Sequence, residues 1–165
     1  MVKHYWILIV LLLVFAGGIE AQKRLPSVVL RNASGKQINV DTLHKACQLT
    51  LVVVWRSCCQ DGYQLLEDIL NQADGWNAKT KLTFCAISVD DSRSSLRVVN
   101  EIKTLGWNFQ LLLDNNQEFK RQMNINSMPC LLLLDERGNV LWQKEGYSET
   151  LVDMISDEIT KEKDN

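Results

Sequence analysis

The chain has 165 residues, a length that suits one domain with a full-sized hydrophobic core. Its composition, 46% hydrophobic and 23% charged, is that of a globular protein and excludes an intrinsically disordered chain. The net charge is −2, with acids and bases mixed along the sequence, which argues against a nucleic-acid-binding surface or a polybasic membrane patch.

The first residues have the layout of a secretory signal peptide. Lys3 precedes the apolar run YWILIVLLLVFAGG, and Ala21 is a small residue at which a signal peptidase can cut. The apolar part is about 15 residues long, short of the roughly 20 that span a bilayer. We therefore predict a signal peptide at residues 1–21, with an uncleaved membrane anchor as the alternative. The mature domain, residues 22–165, is expected outside the cytoplasm.

Apolar runs and amphipathic segments alternate along the mature chain. SVVLRNASGKQINV predicts a β-hairpin that turns at Ser34 and Gly35. LTLVVVW and LTFCAISVD are continuous apolar runs, typical of strands buried on both faces of a sheet. Each is followed by apolar residues at helical spacing, first in residues 65–73 and then in residues 96–105.

The second half of the chain continues this alternation. FQLLLD predicts a short strand, followed by a short helix that carries Phe119 and Met123. CLLLLDERGNVLWQ predicts a hairpin that turns at residues 136–138, and residues 151–159 predict a last amphipathic helix. This order of strands and helices indicates an α/β domain built on one sheet.

Two segments resemble the thioredoxin superfamily, and specifically its extracytoplasmic TlpA-like branch of thiol-disulfide oxidoreductases. LVVVWRSCCQ is similar to the family's strand ending in an F-W-x-x-W-C motif. INSMPCLLLLDERGNVLWQKEGY is similar to its cis-proline loop and the following hairpin, with Pro129 at the expected place. The likeness covers roughly residues 26–158. It implies a three-layer α/β/α sandwich with a mixed central sheet, an N-terminal β-hairpin and a cis Met128–Pro129 peptide.

The same resemblance assigns the candidate site. Trp55 aligns with the first tryptophan of the motif and Cys59 with its nucleophilic cysteine, while Cys58 replaces the second tryptophan. The family's C-x-x-C becomes CQDG, so Gly62 stands where the resolving cysteine is expected. The implied activity is thiol-disulfide exchange at an altered, non-C-x-x-C centre. Its implied partner is a protein that carries a thiol or a disulfide, and no cofactor is implied.

Three cysteines are candidate catalytic residues. Cys59 at a helix N-terminus would face unpaired backbone N–H groups and the positive end of the helix dipole, which favour a thiolate. The family's cis-proline loop lies against the active-site cysteine, so Cys130 is ranked first as the resolving thiol. Cys58 is ranked second because a ring between adjacent cysteines is strained. Three residues are candidates for substrate binding: Trp55, Met128 and Pro129.

Structural interpretations of the same residues remain open. Cys59 can be a vestigial packing residue, and Cys130 a small residue that starts a buried strand. The chain would then be a redox-inert module that binds polypeptides in the groove beside Pro129. A further alternative is a carrier of a soft ion such as Cu(I), held by three converging thiols, Cys58, Cys59 and Cys130. Cys85, inside an apolar strand, is predicted to be a core residue.

Overall fold

A seven-stranded sheet organises the part of the chain that the computed structural model describes, residues 23–45 and 48–164. The predicted signal peptide, residues 1–21, lies outside these described residues. Within them, no helix is both long enough and apolar enough to cross a bilayer. The strands are, in chain order, β1 (Val29–Asn32), β2 (Gln37–Asn39), β3 (Leu49–Trp55), β4 (Leu82–Ser88), β5 (Gln110–Leu113), β6 (Cys130–Leu134) and β7 (Val140–Glu145).

Helices connect the strands and cover both faces of the sheet. They are α1 (Gln60–Lys79), α2 (Ser92–Thr104), α3 (Glu118–Gln122) and α4 (Leu151–Asp164), with a short 3-10 helix at Val40–Thr42. The spatial order of the strands is β2-β1-β5-β4-β3-β6-β7. Strands β3, β4 and β5 run parallel, while β1, β6 and β7 pair antiparallel with their neighbours. The sheet is therefore mixed, as predicted.

The sheet separates two hydrophobic cores, because successive side chains of a strand point to opposite faces. Helices α1, α2 and α4 pack on one face, together with Val53 and Trp55 of β3. The N-terminal hairpin and α3 pack on the other face, together with Val52 and Val54. The continuous apolar run of β3 thus supplies both cores. This is the three-layer arrangement that the resemblance implied, so the fold prediction is confirmed.

Helix α2 buries a different face from the one that the spacing of Leu96 and Leu105 indicated. Its buried residues follow the i, i+3, i+4, i+7 pattern of a single stripe, ending in Val98, Val99 and Ile102. Leu96 is 70% exposed and Leu105 is 51% exposed. The crossover from β4 to β5 decides which stripe faces the sheet, and the two leucines are left outside it.

Candidate functional site

The Cys58–Cys59 pair lies in the loop that joins β3 to α1. After Trp55 the chain makes a turn, in which the Cys59 N–H donates a hydrogen bond to the Arg56 C=O at 3.1 Å. Cys59 is the N-cap residue of α1, with an extended backbone (φ −111°, ψ 115°). The Gly62 N–H donates to the Cys59 C=O at 3.1 Å. The predicted strand-to-helix position of the two thiols is therefore present.

The two adjacent thiols are free and differ in exposure. Cys58 is exposed, whereas Cys59 is half-buried at the start of a 20-residue helix. The N-terminal end of such a helix attracts negative charge through its unpaired N–H groups and its dipole. Asp61, in the first turn of α1, places a negative charge at the same end of the helix. Cys59 thus lies at the N-terminus of the helix, and Cys58 is its more exposed neighbour.

Gly62 packs against the indole of Trp55. A Cβ atom at position 62 would lie 3.4 Å from both Cβ and Cε3 of Trp55, and 3.6 Å from the Arg56 C=O. Trp55 is itself fully buried, and it contacts Tyr63 edge-to-face with the ring centroids 4.9 Å apart. Trp55 was expected to bind substrate, but its buried side chain supports the loop from beneath and does not reach the surface.

A buried carboxylate at the end of β4 anchors the loop. Asp90 is 6% exposed, and it accepts hydrogen bonds from the N–H and the O–H of Ser57 at 3.0 and 2.8 Å. It also accepts the O–H of Ser88 at 2.7 Å. Arg97 of α2 donates to the Ser57 Oγ at 3.1 Å. The residue that precedes Cys58 is therefore tied to both β4 and α2.

The sequence analysis missed Asp90, although a signal for it was present. The residue lies two positions after a buried strand, at the carboxyl edge of the parallel part of the sheet. Ligands and catalytic loops of α/β proteins gather at this edge. The sequence alone did not identify Ser57 as the partner of Asp90, because the two residues lie 33 positions apart.

The loop that precedes β6 lies beside the end of β3, from which the thiol loop begins. Its Met128–Pro129 peptide is cis, which confirms that prediction. The antiparallel register of β3 and β6 pairs Val54 with Cys130. Pro129, the residue before Cys130, therefore lies beside the end of β3, where the loop that carries Cys59 begins. Pro129 is buried and Met128 is half-buried.

The end of β7 holds this cis-proline loop in place. The Glu145 carboxylate accepts hydrogen bonds from the N–H groups of Asn126 and Ser127 at 3.2 and 2.7 Å. The Gly146 N–H donates to the Pro129 C=O at 2.8 Å. The loop is thus fixed on both sides of its proline, and Glu145 is a second positioning residue that sequence reasoning did not identify.

Cys130 has surroundings unlike those of the other two candidate thiols. It is fully buried in the core that contains Val54, on the face of the sheet opposite to α1. Burial raises the pKa of its thiol to about 12, and the Glu145 carboxylate adds to the effect. Its thiolate is therefore scarce at neutral pH. This environment does not support ranking Cys130 first as the thiol that resolves a Cys59 adduct.

The remaining thiol and the metal alternative can be placed as well. Cys85 is fully buried, as predicted, and burial raises its pKa to about 12. Among the side chains that the structure describes, no three His, Cys, Asp or Glu residues come together so that they could hold a metal ion. The convergence of Cys58, Cys59 and Cys130 that a Cu(I) site requires is therefore not found there.

A cleft of about 850 Å³ opens beside the thiol loop, between Ser57, Tyr63 of α1 and the outer face of α2. The Tyr63 O–H donates to the carboxylate of Glu101, and Arg97 Nε lies 3.8 Å from the same carboxylate. Burial, with Glu101 adding to it, raises the pKa of Tyr63 above its ordinary value. The α2 wall of the cleft includes Leu96 and Leu105, two of the apolar residues whose spacing predicted the helix, and sequence analysis did not predict the cleft itself.

Comparisons with known proteins agree with this geometry. A family model described as thioredoxin-like matches residues 47–140, while a comparison with curated proteins finds no match. An uncharacterized thioredoxin-like protein from Porphyromonas gingivalis is 26% identical, with a TM-score of 0.75, over 83% of this chain and 90% of that one.

Two further solved structures share the fold at lower identity. The putative thiol:disulfide interchange protein DsbE from Chlorobium tepidum is 17% identical, with a TM-score of 0.73, over 88% of this chain and 99% of that one. A thiol-disulfide oxidoreductase from Bacteroides fragilis is 19% identical, with a TM-score of 0.65, over 82% of this chain and 98% of that one. The similarity extends over most of each chain.

Proposed function

Because the chain belongs to the thioredoxin-like family, we propose that it is an extracytoplasmic thiol-disulfide oxidoreductase with an altered redox centre at Cys59. The observation that carries the proposal is the position of Cys59. It is a half-buried free thiol at the N-terminus of α1, in the loop that follows the central strand β3, and the end of β3 lies beside the cis-proline Pro129. The names of two proteins of the same fold, quoted above, supply the reaction class.

The first step uses Cys59 as the nucleophile. Its thiolate attacks one sulfur of a substrate disulfide, and a new S–S bond joins Cys59 to the substrate as the substrate's own S–S bond breaks. The leaving thiolate takes up a proton from solvent. The product is a mixed disulfide, in which one substrate sulfur has been reduced to a thiol and Cys59 has been oxidised.

We assign the second step to Cys58, since it is exposed and adjacent, whereas Cys130 is buried on the other face of the sheet. The Cys58 thiolate attacks Cys59 Sγ, the mixed disulfide breaks, and the substrate leaves as a thiol. The substrate thus gains two electrons and two protons, and the protein is left with a disulfide between adjacent cysteines. Such a ring is strained and therefore readily reduced, so an external dithiol reductant can regenerate both thiols.

Trapping of the mixed disulfide tests this assignment. Reduced protein is mixed with a cystine-containing peptide, and the adduct is followed by mass spectrometry of the intact protein. Wild type should clear the adduct, Cys58→Ser should accumulate it, and Cys59→Ser should never form it. Cys130→Ser should behave as wild type. If Cys130→Ser traps the adduct and Cys58→Ser does not, the buried thiol is the resolving residue after all.

A second candidate function is a redox-inert polypeptide-binding module. This candidate is favoured by Gly62, because the chain has glycine at the position where the family's second redox cysteine is expected. The trapping experiment separates the two candidates. If no variant forms an adduct, the redox function fails and the binding module takes its place.

The extracytoplasmic location is supported by the signal-like sequence of residues 1–21. N-terminal sequencing of the protein from its own cell should find a chain that begins near Gln22. A protein that retains Met1 and carries no membrane anchor would contradict the proposed location while leaving the proposed chemistry untouched.

A further inference from the structure

We propose that the cleft beside Cys58 binds a polypeptide segment of the disulfide substrate that carries apolar and acidic side chains near its cysteine. The inference rests on the proposed function, since it places the substrate's disulfide next to the thiols that attack it. It adds the chemistry of the partner, which neither the reaction class nor the fold specifies.

The apolar part of the argument comes from two exposed leucines. Three large apolar side chains are exposed in the described part of the chain, namely Leu96, Leu105 and Val29. Leu96 and Leu105 line the same cleft, whereas Val29 lies on β1 and is not among the residues that line it. Two exposed leucines in one cleft give it an apolar surface against which the apolar side chains of a bound segment can pack.

The shape of the cleft fits a polypeptide better than a small disulfide. Its wall on α2 extends from Arg93 to Leu105, about 18 Å at the rise of an α-helix. This is the length of about five residues of extended chain.

The charge of the cleft selects acidic partners. Arg93 and Arg97 of α2 line it, and the carboxylate that lines it, Glu101, is already engaged with the Tyr63 O–H and with Arg97. The nearby Asp91 carboxylate caps α2 by accepting hydrogen bonds from backbone N–H groups at 3.0 and 2.9 Å. A segment in the cleft therefore meets the Arg93 guanidinium, a group that pairs well with carboxylates.

The cleft is joined directly to the thiol loop. Ser57 lines it, precedes Cys58 in the chain, and accepts a hydrogen bond from Arg97 at 3.1 Å. A segment that lies along α2 would thus reach the loop with its cysteine close to Cys58 and Cys59. The same helix provides both the binding surface and a support of the reactive loop.

Peptides with an activated cysteine test the proposal. Each carries a 2-thiopyridyl group on its cysteine, so that attack by Cys59 forms the protein–peptide disulfide and releases pyridine-2-thione, which absorbs light. An acidic, leucine-containing peptide is compared with a basic one of the same length and with 2-hydroxyethyl 2-pyridyl disulfide. Each peptide rate is divided by the rate with the small disulfide. At low salt this ratio should be about tenfold higher for the acidic peptide than for the basic one, and added salt should narrow the difference between the two ratios.

Matched variants locate the effect. For each protein the peptide rate is divided by the rate with the small disulfide, which removes changes in the thiols themselves. Leu96→Asp should lower this ratio for the acidic peptide at least about fivefold. Val29→Asp, the same change at an exposed apolar residue outside the cleft, should not. Arg93→Glu should shift the preference toward the basic peptide. Equal ratios for both peptides, or an unchanged ratio in Leu96→Asp, would overturn the proposal.

Two further measurements keep the failures apart. A fluorescein-labelled acidic peptide with serine in place of its cysteine reports binding by anisotropy, without redox chemistry. If the small disulfide does not react but this peptide binds wild type more tightly than Leu96→Asp, the proposed function fails and the cleft assignment stands. If wild type is a dimer by light scattering and Leu96→Asp is a monomer, a second copy of the chain occupies the cleft and the assignment is overturned.

Discussion

Gly62 stands where the family's second redox cysteine is expected, and its Cα faces the indole of Trp55 closely. A Cβ atom there meets two Trp55 atoms at 3.4 Å, the near end of ordinary van der Waals contact. The position therefore tolerates a small side chain but gives it little freedom. The absence of a thiol at this position is thus not forced by packing.

At the residue scale, Gly62→Cys should create a C-x-x-C pair with Cys59. We expect a disulfide between Cys59 and the introduced thiol after mild oxidation, seen by mass mapping of the oxidised protein. The free energy of unfolding of the reduced variant should change by no more than about 1 kcal/mol, because the gain in helix propensity offsets the close contact.

Gly62→Ala provides the matched control for this substitution, since it makes the same contact without a thiol. Both variants should show similar stability when reduced, and only Gly62→Cys should gain stability on oxidation. A folded Gly62→Cys protein that never forms the disulfide would show that α1 does not begin at Cys59 in the manner described.

At the scale of elements, Asp90 joins the β3–α1 loop to the end of β4. Asp90→Ala removes the acceptor for the N–H and O–H of Ser57, and hydrogen bonds to a charged group contribute about 1.5–3 kcal/mol each. We expect faster amide hydrogen exchange in residues 56–59 and a slower formation of the Cys59 mixed disulfide, because the thiol loses its defined position.

A neighbouring carboxylate separates this positioning role from stability alone. Asp91→Ala removes the N-cap of α2 and should cost about 1 kcal/mol of stability. It should leave hydrogen exchange in residues 56–59 and the rate of adduct formation unchanged. If the two variants slow the reaction equally in proportion to their loss of stability, Asp90 has no special role in the loop.

At the scale of the whole molecule, two buried thiols should make the free energy of unfolding decrease as the pH rises into the alkaline range. Burial raises the pKa of Cys85 and of Cys130 to about 12, from an ordinary value of 9.0. Between these values the unfolded chain releases protons that the folded protein retains, so rising pH favours unfolding. The contribution is complete below about pH 9 and is lost as the pH approaches about 12. Tyr63, whose pKa is also raised, acts in the same direction.

Urea unfolding at a series of alkaline pH values measures this dependence. The free energy of unfolding of wild type should decline with pH above about 9. Cys85→Ala should be less stable at neutral pH because it leaves a small cavity, but its decline should be shallower since one titrating group is gone. A decline of equal slope in the two proteins would show that Cys85 does not titrate in this range.

The sequence by itself determined the local elements and the position of the two adjacent cysteines between a strand and a helix. Alternation, helical spacing and turn residues act over a few neighbours along the chain, so the hairpin at Gly35 and the buried strand β3 were predicted correctly. The cis peptide before Pro129 was implied by the resemblance to the thioredoxin superfamily, and it is present. The place of Cys59 at the start of α1 followed from the same local pattern.

Only the tertiary structure decided which groups meet. Asp90 and Ser57 form hydrogen bonds although they lie 33 positions apart in the chain. The burial of Cys130 depends on which of the two cores its side chain enters from β6. The exposure of Leu96 follows from the crossover that seats α2 on the sheet. These features depend on contacts between distant segments, whose free energies no pattern of neighbouring residues contains, and so the cleft beside the thiols became visible only in the folded chain.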